Sequence, residues 1–572
     1  MAQPFYLGLN MSGTVSAGAY TAGVIDFLIE AMDTWYAERE RQLQRFGNNY
    51  EQWTIPPHEL QLSVMAGASG GGITSALAAA ALSQSFNHIH EQSPGPDAPL
   101  NTLFRSWVTE IDLKLLLGHA DLDRNGGNVV SILDSTPIRQ IAVHALAISS
   151  PLPQRRPWVR DGLKVILTLT NLGGIPYAIE PQSDADSARV LYHADHRDFE
   201  VLWNGQPSGG HAVALRGTGG DPWAALAEAA VATSAFPIVL APQVLHRTAG
   251  EYNQRRWRIP QANPKCGPGG TCICELNTPM PPVWDFINDD LRPLETLNVD
   301  GGATNNSPFD CARLELAGLF PPAANGHNPR DPKYADRAVV SIAPLFTEAG
   351  TKLPPLPKAQ LGSLLGQFIQ VLVSQSRIQG ENLKLTSDPS VASRWLIAPT
   401  SEQSGIDPLA GSLLGAFGAF ISRVLREHDY QLGRRNCQRF LTNHFGLPWD
   451  NVIINQYDLS GEAKARLDAI FGFAGEPAAG SMRLFPLIPV LADLRQEVKV
   501  VRKPVAQDEL KVLADMAVDR GKRVAKALLS QTKAGWFSEL AFNSAWLMIK
   551  GRFRDGLFDA ARHELGEHGF LS

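Results

Sequence analysis

Three short segments of this chain set reactive side chains among small residues. The first is Met65-Ala66-Gly67-Ala68-Ser69-Gly70-Gly71-Gly72-Ile73, in which Gly67, Ser69 and Gly71 fit G-x-S-x-G. A serine hydroxyl is a weak nucleophile until a base takes its proton. The motif serves that chemistry by standing the serine on a sharp strand-to-helix turn, with glycines on either side to avoid clashes. The helix that follows aims its positive end at the place where an oxyanion develops. The same glycines also suit a plain close junction of strand and helix, so this segment alone carries both readings.

The second segment, Leu297-Asn298-Val299-Asp300-Gly301-Gly302-Ala303-Thr304-Asn305-Asn306-Ser307-Pro308, ends a short apolar run with an acid and two glycines. A carboxylate gains basicity when it is partly desolvated and bonded to a hydroxyl. Asp-Gly-Gly is equally an ordinary turn. The third, Asn10-Met11-Ser12-Gly13-Thr14-Val15-Ser16-Ala17-Gly18-Ala19-Tyr20, joins a strand pattern to a helix pattern. Backbone N–H groups at such a junction can form an anion-binding nest, or simply a turn. A nucleotide loop is disfavoured, because G-x-G-x-x-G and a Walker lysine are both absent.

Positioning these segments requires regular elements. Phe5–Met11 and residues 62–66, 163–169 and 338–342 are short runs apolar on both faces, as strands between two helical layers must be. Residues 18–32 and 72–82 read as the helices after the first two strands. The alternation predicts an α/β fold of three layers, α/β/α, with a mainly parallel central sheet. Residues 36–57 and 247–296 read as insertions. The division expected is an α/β domain over 1–450 and a mainly helical region over 451–572, with 510–571 almost wholly helical in pattern.

Taken in order, the three segments resemble the patatin-like phospholipase family. Leu133-Asp134-Ser135-Thr136-Pro137-Ile138, Thr170-Asn171-Leu172, Ala232-Thr233-Ser234-Ala235-Phe236-Pro237 and Asn305-Asn306 before Pro308 agree with it. The resemblance covers about the first 345 residues. It implies a patatin-like fold and a Ser69–Asp300 dyad that needs no histidine. It also implies an oxyanion hole of the Gly13, Thr14 and Val15 amides, with Gly67, Gly71, Gly301 and Gly302 as supports. The substrate implied is a phospholipid or other acyl lipid, cleaved through an acyl-enzyme without cofactor or metal. One departure stands out: most of the family carries three glycines and then a basic residue, where this chain has Gly13, Thr14, Val15 and, at the basic position, Ala17. The run resembles a bacterial patatin-related branch that also lacks the cation.

Other readings stay open. An α/β-hydrolase would run Ser, acid, His with a separate oxyanion motif, and 14 histidines leave a triad available. A silent relative could bind or scaffold, and an acyltransferase could use the same dyad.

Bulk properties bound the choice. At 572 residues the chain exceeds the roughly 250–300 at which one core stops growing. A net charge of −6 argues against nucleic acid as a partner. Five cysteines in this length make no disulfide framework. No secretory pattern precedes Phe5, and the longest uncharged apolar run, 408–422, is shorter than a membrane span. The expectation is a cytoplasmic protein with transient peripheral contact at a membrane surface.

Three secondary candidates remain. Cys266, Cys272 and Cys274 lie in a Pro/Gly-rich stretch whose C-x5-C-x-C spacing is not a standard zinc pattern. Residues 409–425, followed by Arg426-Glu427-His428-Asp429, read either as a membrane-facing cap or as an internal helix anchored by ion pairs. Lys522, Arg523, Lys526, Lys550, Arg552 and Arg554 alternate with Trp536, Phe537, Trp546, Leu547 and Phe553. That stripe suits lipid headgroups, a partner protein, or a solvated face over a core.

Overall fold

The structure is a computed structural model. It describes residues 2–90, 101–124, 126, 128–148, 155–179, 188–209, 211–217, 220–263, 272–287, 289–318, 331–345, 371, 388, 391, 393–400, 406–475, 483–531 and 536–571.

Strand β1 (Phe5–Met11) turns Phe5, Leu7, Leu9 and Met11 into the main core, each at most 2% exposed. Its chain passes through α1 (Gly18–Phe46) to β2 (Leu60–Gly67), then through α2 (Ser69–Leu82) and several short helices, one of them α3 (Thr136–Ala145). The long strand β3 (Val159–Ile179) follows and doubles back as β4 (Ala188–Val201) and β5 (Val213–Leu215). Next come α4 (Asp221–Thr233), β6 (Gln243–Thr248), the hairpin β7 (Arg256–Asn263) and β8 (Cys272–Pro279), and β9 (Pro293–Asp300). Helix α5 (Phe309–Gly318), β10 (Arg337–Ile342), β11 (Leu396–Ile397), α6 (Arg423–Asn443), α7 (Gln507–Gln531) and α8 (Trp536–Glu567) complete the main elements.

The central sheet runs β11-β10-β1-β2-β3-β4-β5, parallel from β11 through β3 and antiparallel where β4 and β9 join β3. Helices flank it on both faces. On one side α1, α2, α4 and α6 pack together; on the other, Ala312 and Leu316 of α5 close over Val64, Ala66, Ile166 and Val339. This is a mixed α/β fold with a largely parallel sheet, as the alternation predicts.

Strand β3 is the template that brings distant segments together. Gly67, the last residue of β2, pairs with Leu167, and Asp300, the last residue of β9, pairs with Leu169. The ends of β2 and β9 therefore meet at adjoining positions along β3.

The structure departs from the expected organisation in three places. The first half of 36–57 is not an irregular insertion, because α1 continues to Phe46. Its apolar periodicity stops near Met32, but Glu, Arg and Gln are good helix formers and pair along the helix, as Gln42 does with Glu38 at 2.8 Å. Within 247–296, two strands pair from Arg256↔Pro279 to Asn263↔Cys272, a pattern hidden by prolines in the sequence. The core also crosses residue 450: Ile453, Leu467, Phe485 and Leu487 belong to the same buried cluster as β1. Long helices begin only at Gln507.

Candidate active site

Ser69 opens α2 with φ of +52°, the left-handed region that a non-glycine residue rarely occupies. Such a conformation costs about 1–3 kcal/mol and persists only when its surroundings enforce it. Here the surroundings are tight. A Cβ on Gly67 would lie 2.4 Å from the Gly71 carbonyl, and one on Gly71 would lie 2.2 Å from the Met11 carbonyl. The turn is also pinned by the Ser69 N–H, which donates to Thr233 Oγ1 at 3.0 Å.

The Ser69 hydroxyl donates to Asp300 Oδ2 at 2.6 Å across 231 positions of sequence. Asp300 is itself held from three sides. Its N–H donates to the Ala235 carbonyl (2.9 Å), its carbonyl accepts from Thr170 Oγ1 (2.9 Å), and its Oδ1 accepts from the Gly302 N–H (2.6 Å). Burial pushes the Asp300 carboxyl up to about 7, against the lowering effect of the bonds from Ser69 and Gly302. A carboxylate so placed can accept a hydroxyl proton near neutral pH. Gly301 and Gly302 are both buried, and a Cβ on Gly301 would meet the Thr168 carbonyl at 2.2 Å.

The loop at Gly13, Thr14 and Val15 lies against this pair, but its amides are not all free. The Gly13 N–H donates to the Asn306 carbonyl at 2.7 Å. The Thr14 carbonyl points at Ser69, lying 3.1 Å from its Oγ, and accepts from the Gly70 N–H at 3.0 Å. No peptide bond in the described residues is cis, so the Val15 N–H across that bond points the other way. Of the three expected donors, the Thr14 and Val15 N–H groups donate no hydrogen bond among the described residues. Ala17 is fully buried against Gly411, so the position expected to hold a cation has no room for one.

Beside Ser69 lies a cavity with about 760 Å³ of empty space, its open mouth included. Ile73, Trp107, Ile138, Phe236, Phe417 and Phe420 form much of its wall, and among the described residues no charged side chain lines it. Three lining residues carry buried polar atoms with no hydrogen-bond partner among the described residues: Thr14 Oγ1, Ser106 Oγ and Trp107 Nε1. Its apolar lining with a few polar groups is the character of a small-ligand site, and unpaired buried polar atoms await a partner.

An uncharacterized protein of Sinorhizobium fredii (strain NBRC 101917 / NGR234), y4iI, is 31% identical to this chain over 593 aligned residues. The match spans 96% of this chain and 79% of the relative. This chain belongs to the y4iI family. No family model matches it.

In this member of the y4iI family, the weaker sequence segments turn out to brace the Ser69–Asp300 pair. Thr233 anchors the Ser69 amide, Ala235 and Thr170 hold the Asp300 backbone, and Asn306 occupies Gly13. Asp134 accepts from the Thr136 N–H at 2.9 Å and starts α3, whose Ile138, Ile141 and Ala142 line the cavity. The resemblance marked these segments but not what each residue holds, because their roles depend on neighbours far along the chain.

The secondary candidates divide. Residues 409–425 are internal: Asp429 accepts from the Ala410 and Gly411 amides at 2.9 and 2.7 Å, and Phe417 and Phe420 wall the cavity. Arg426 donates to the Val108 and Phe420 carbonyls, which fixes that segment from beneath. Cys266 lies outside the described residues, as do the side chains of Cys272 and Cys274, so that trio stays open. No described helix is long and apolar enough to cross a membrane.

Proposed function

We propose that this chain is a serine acyl hydrolase of the patatin-like phospholipase type, cleaving acyl esters of phospholipids or related lipids through Ser69 and Asp300. The observation that carries the reading is the 2.6 Å bond from Ser69 Oγ to a buried carboxylate, beside an uncharged apolar cavity suited to an acyl chain. The strained serine and the raised Asp300 carboxyl support it, as perturbed acids cluster at functional sites.

In this proposal Asp300 Oδ2 takes the Ser69 proton while Oγ bonds to the ester carbonyl carbon. Collapse of the tetrahedral intermediate breaks the ester C–O bond, and Asp300 returns the proton to the departing alcohol. Water then attacks the acyl-enzyme with Asp300 again as base, and the fatty acid leaves with Ser69 restored. The oxyanion needs N–H donors, and the Thr14 N–H, which donates to no described residue, is the candidate. Rotation of the Thr14–Val15 peptide would release the Gly70 amide and turn the Val15 amide toward Ser69.

The present direction of the Thr14 carbonyl favours one second reading, a silent relative that binds lipid without cleaving it. Fluorophosphonate labelling separates the two. We expect covalent modification at Ser69, none in Ser69→Ala, and a loss of esterase activity of about a thousandfold or more in that variant. Lipid profiling of wild type beside Ser69→Ala should show fatty acid released by wild type alone. An unlabelled, well-folded wild type would favour the silent relative.

A further inference from the structure

A second cluster lies apart from the acyl cavity, on β4 and the connection that follows it. His196 and Asp198 sit two residues apart on β4, so their side chains leave the same face of the strand. His211 comes from the connection that leads into β5, which pairs in parallel with β4 from Phe199↔Val213 onward. The chain thus folds back to bring a third side chain over the first two. None of the three lines the cavity beside Ser69.

The geometry is compact. Asp198 Oδ2 lies 2.5 Å from His211 Nε2, and Oδ1 lies 3.5 Å from His196 Nε2. One ligand atom from each residue falls within 4.8 Å of the other two. A four-coordinate ion with bonds of about 2.0–2.1 Å spaces its ligand atoms by roughly 3.3 Å, so these three need shift by less than about 1 Å to share one. The two rings stand edge to face, with centroids 6.3 Å apart.

A simple His211–Asp198 hydrogen bond accounts for only one carboxylate oxygen. Asp198 is 92% buried (8% exposed), and its Oδ1 has no hydrogen-bond partner among the described residues. That oxygen faces His196 Nε2 without bonding to it. A buried carboxylate oxygen left unpaired costs free energy, and a cation between the three groups would satisfy it. His196 and His211 keep side-chain exposures of 28% and 17%, which leaves an entry path and a place for water as a fourth ligand.

We propose that His196, Asp198 and His211 form a binding site for one divalent transition-metal cation of the zinc class. Two imidazoles and one carboxylate match that class, whereas magnesium and calcium prefer oxygen ligands throughout. Binding displaces the proton that His211 and Asp198 share, and that proton leaves to solvent. The ion ties the 202–212 connection to β4 and so secures the β5 edge of the sheet. Its role is structural. Its place is one strand beyond β3, where His196 pairs with Thr168, and Thr168 Oγ1 in turn holds the Asn305 carbonyl next to the Asp-Gly-Gly turn.

The test uses the full chain, stripped with a chelator and dialysed, then titrated with Zn²⁺ against a chromophoric competitor. One equivalent is expected to bind, with at least tenfold weaker binding in His211→Gln and loss of that equivalent in His196→Gln/His211→Gln. His211 lies outside any strand, so the single variant leaves the sheet intact, and circular dichroism verifies both. Bound Co²⁺ gives a second readout in wild type: visible absorption that changes in His211→Gln. Absence of binding to the stripped wild type, or equal binding by the folded double variant, overturns the proposal. Neither result depends on Ser69, and fluorophosphonate labelling run in parallel reports separately on the dyad.

Discussion

At the scale of single residues, the dyad's behaviour turns on one buried acid. In the proposed mechanism Asp300 must be ionised to take the Ser69 proton, and burial raises its carboxyl to about 7. Activity should therefore rise with pH along a limb centred near 7; a limb centred near 4 would show an acid that burial has not raised. The same shift has a stability sign. An unfolded aspartate ionises near about 3.9, so the folded state holds the extra proton between roughly pH 4 and 7, and stability falls across that window. Asp300→Asn cannot ionise. Its oxygen can still accept from Gly302, and its nitrogen can donate to Ser69 Oγ. The variant should lose turnover yet be more stable than wild type at pH 8, by up to about 4 kcal/mol, with little difference at pH 4. Thermal melts at the two pH values check this, and a variant that is less stable at pH 8 would contradict it.

At the scale of elements, the site depends on how β3 aligns its partners. The alignment is braced on the β4 side by a buried ionic network. Arg247, 4% exposed, donates to Asp195 (2.9 Å), Glu251 (3.0 Å), Tyr252 (2.8 Å) and the His196 carbonyl (3.1 Å). Arg255 adds a second bond to Asp195 at 2.6 Å. Burial opposes the charge on Asp195, but the two arginines prevail and hold its carboxyl well below the usual range. Removing one partner from such a network strands the others. Arg247→Ala should cost about 3–5 kcal/mol in urea unfolding, and a loss under 1 kcal/mol would show the network to be incidental. At the turn itself, Gly67→Ala drives a methyl into the Gly71 carbonyl, so we expect loss of both folding yield and Ser69 labelling.

At the scale of the whole molecule, the C-terminal hairpin of α7 and α8 is part of the cavity's support. Ala410, Leu413, Ile421 and Leu425 share a small core with Leu510, Leu513, Leu565 and Phe570, and Glu564 accepts from the Leu414 amide at 2.8 Å. Leu414 and Ala416, both at positive φ, lie directly before the cavity residue Phe417. Truncation after residue 500 should bare that core, loosen the Phe417–Phe420 wall and lower activity more than tenfold. Full activity in the truncated chain would show that the hairpin serves another purpose. Its exposed surface also carries Leu528, Ile549, Phe553 and Leu557 with Lys522, Lys526, Lys550 and Arg552. Cosedimentation with anionic vesicles should exceed that with neutral ones, because basic side chains meet anionic headgroups while apolar ones meet acyl chains.

By itself the sequence determined the local pieces. Apolar runs gave β1 to the residue and the middle five residues of β2, and small residues marked the turns at Gly67–Gly71 and Asp300–Gly302, because periodicity and glycine spacing act over a few neighbouring positions. It did not reveal the full length of α1, whose second half keeps helix propensity without an apolar stripe. Nor did it show that residues 409–425 turn inward, since burial there rests on Asp429 and on contacts with distant helices. Only the tertiary structure decided that Ser69 and Asp300 touch, that the Gly13 amide is already bonded, and that His196, Asp198 and His211 converge. Each of these depends on strand register, and register is set by pairing across hundreds of residues, which no short window of sequence contains.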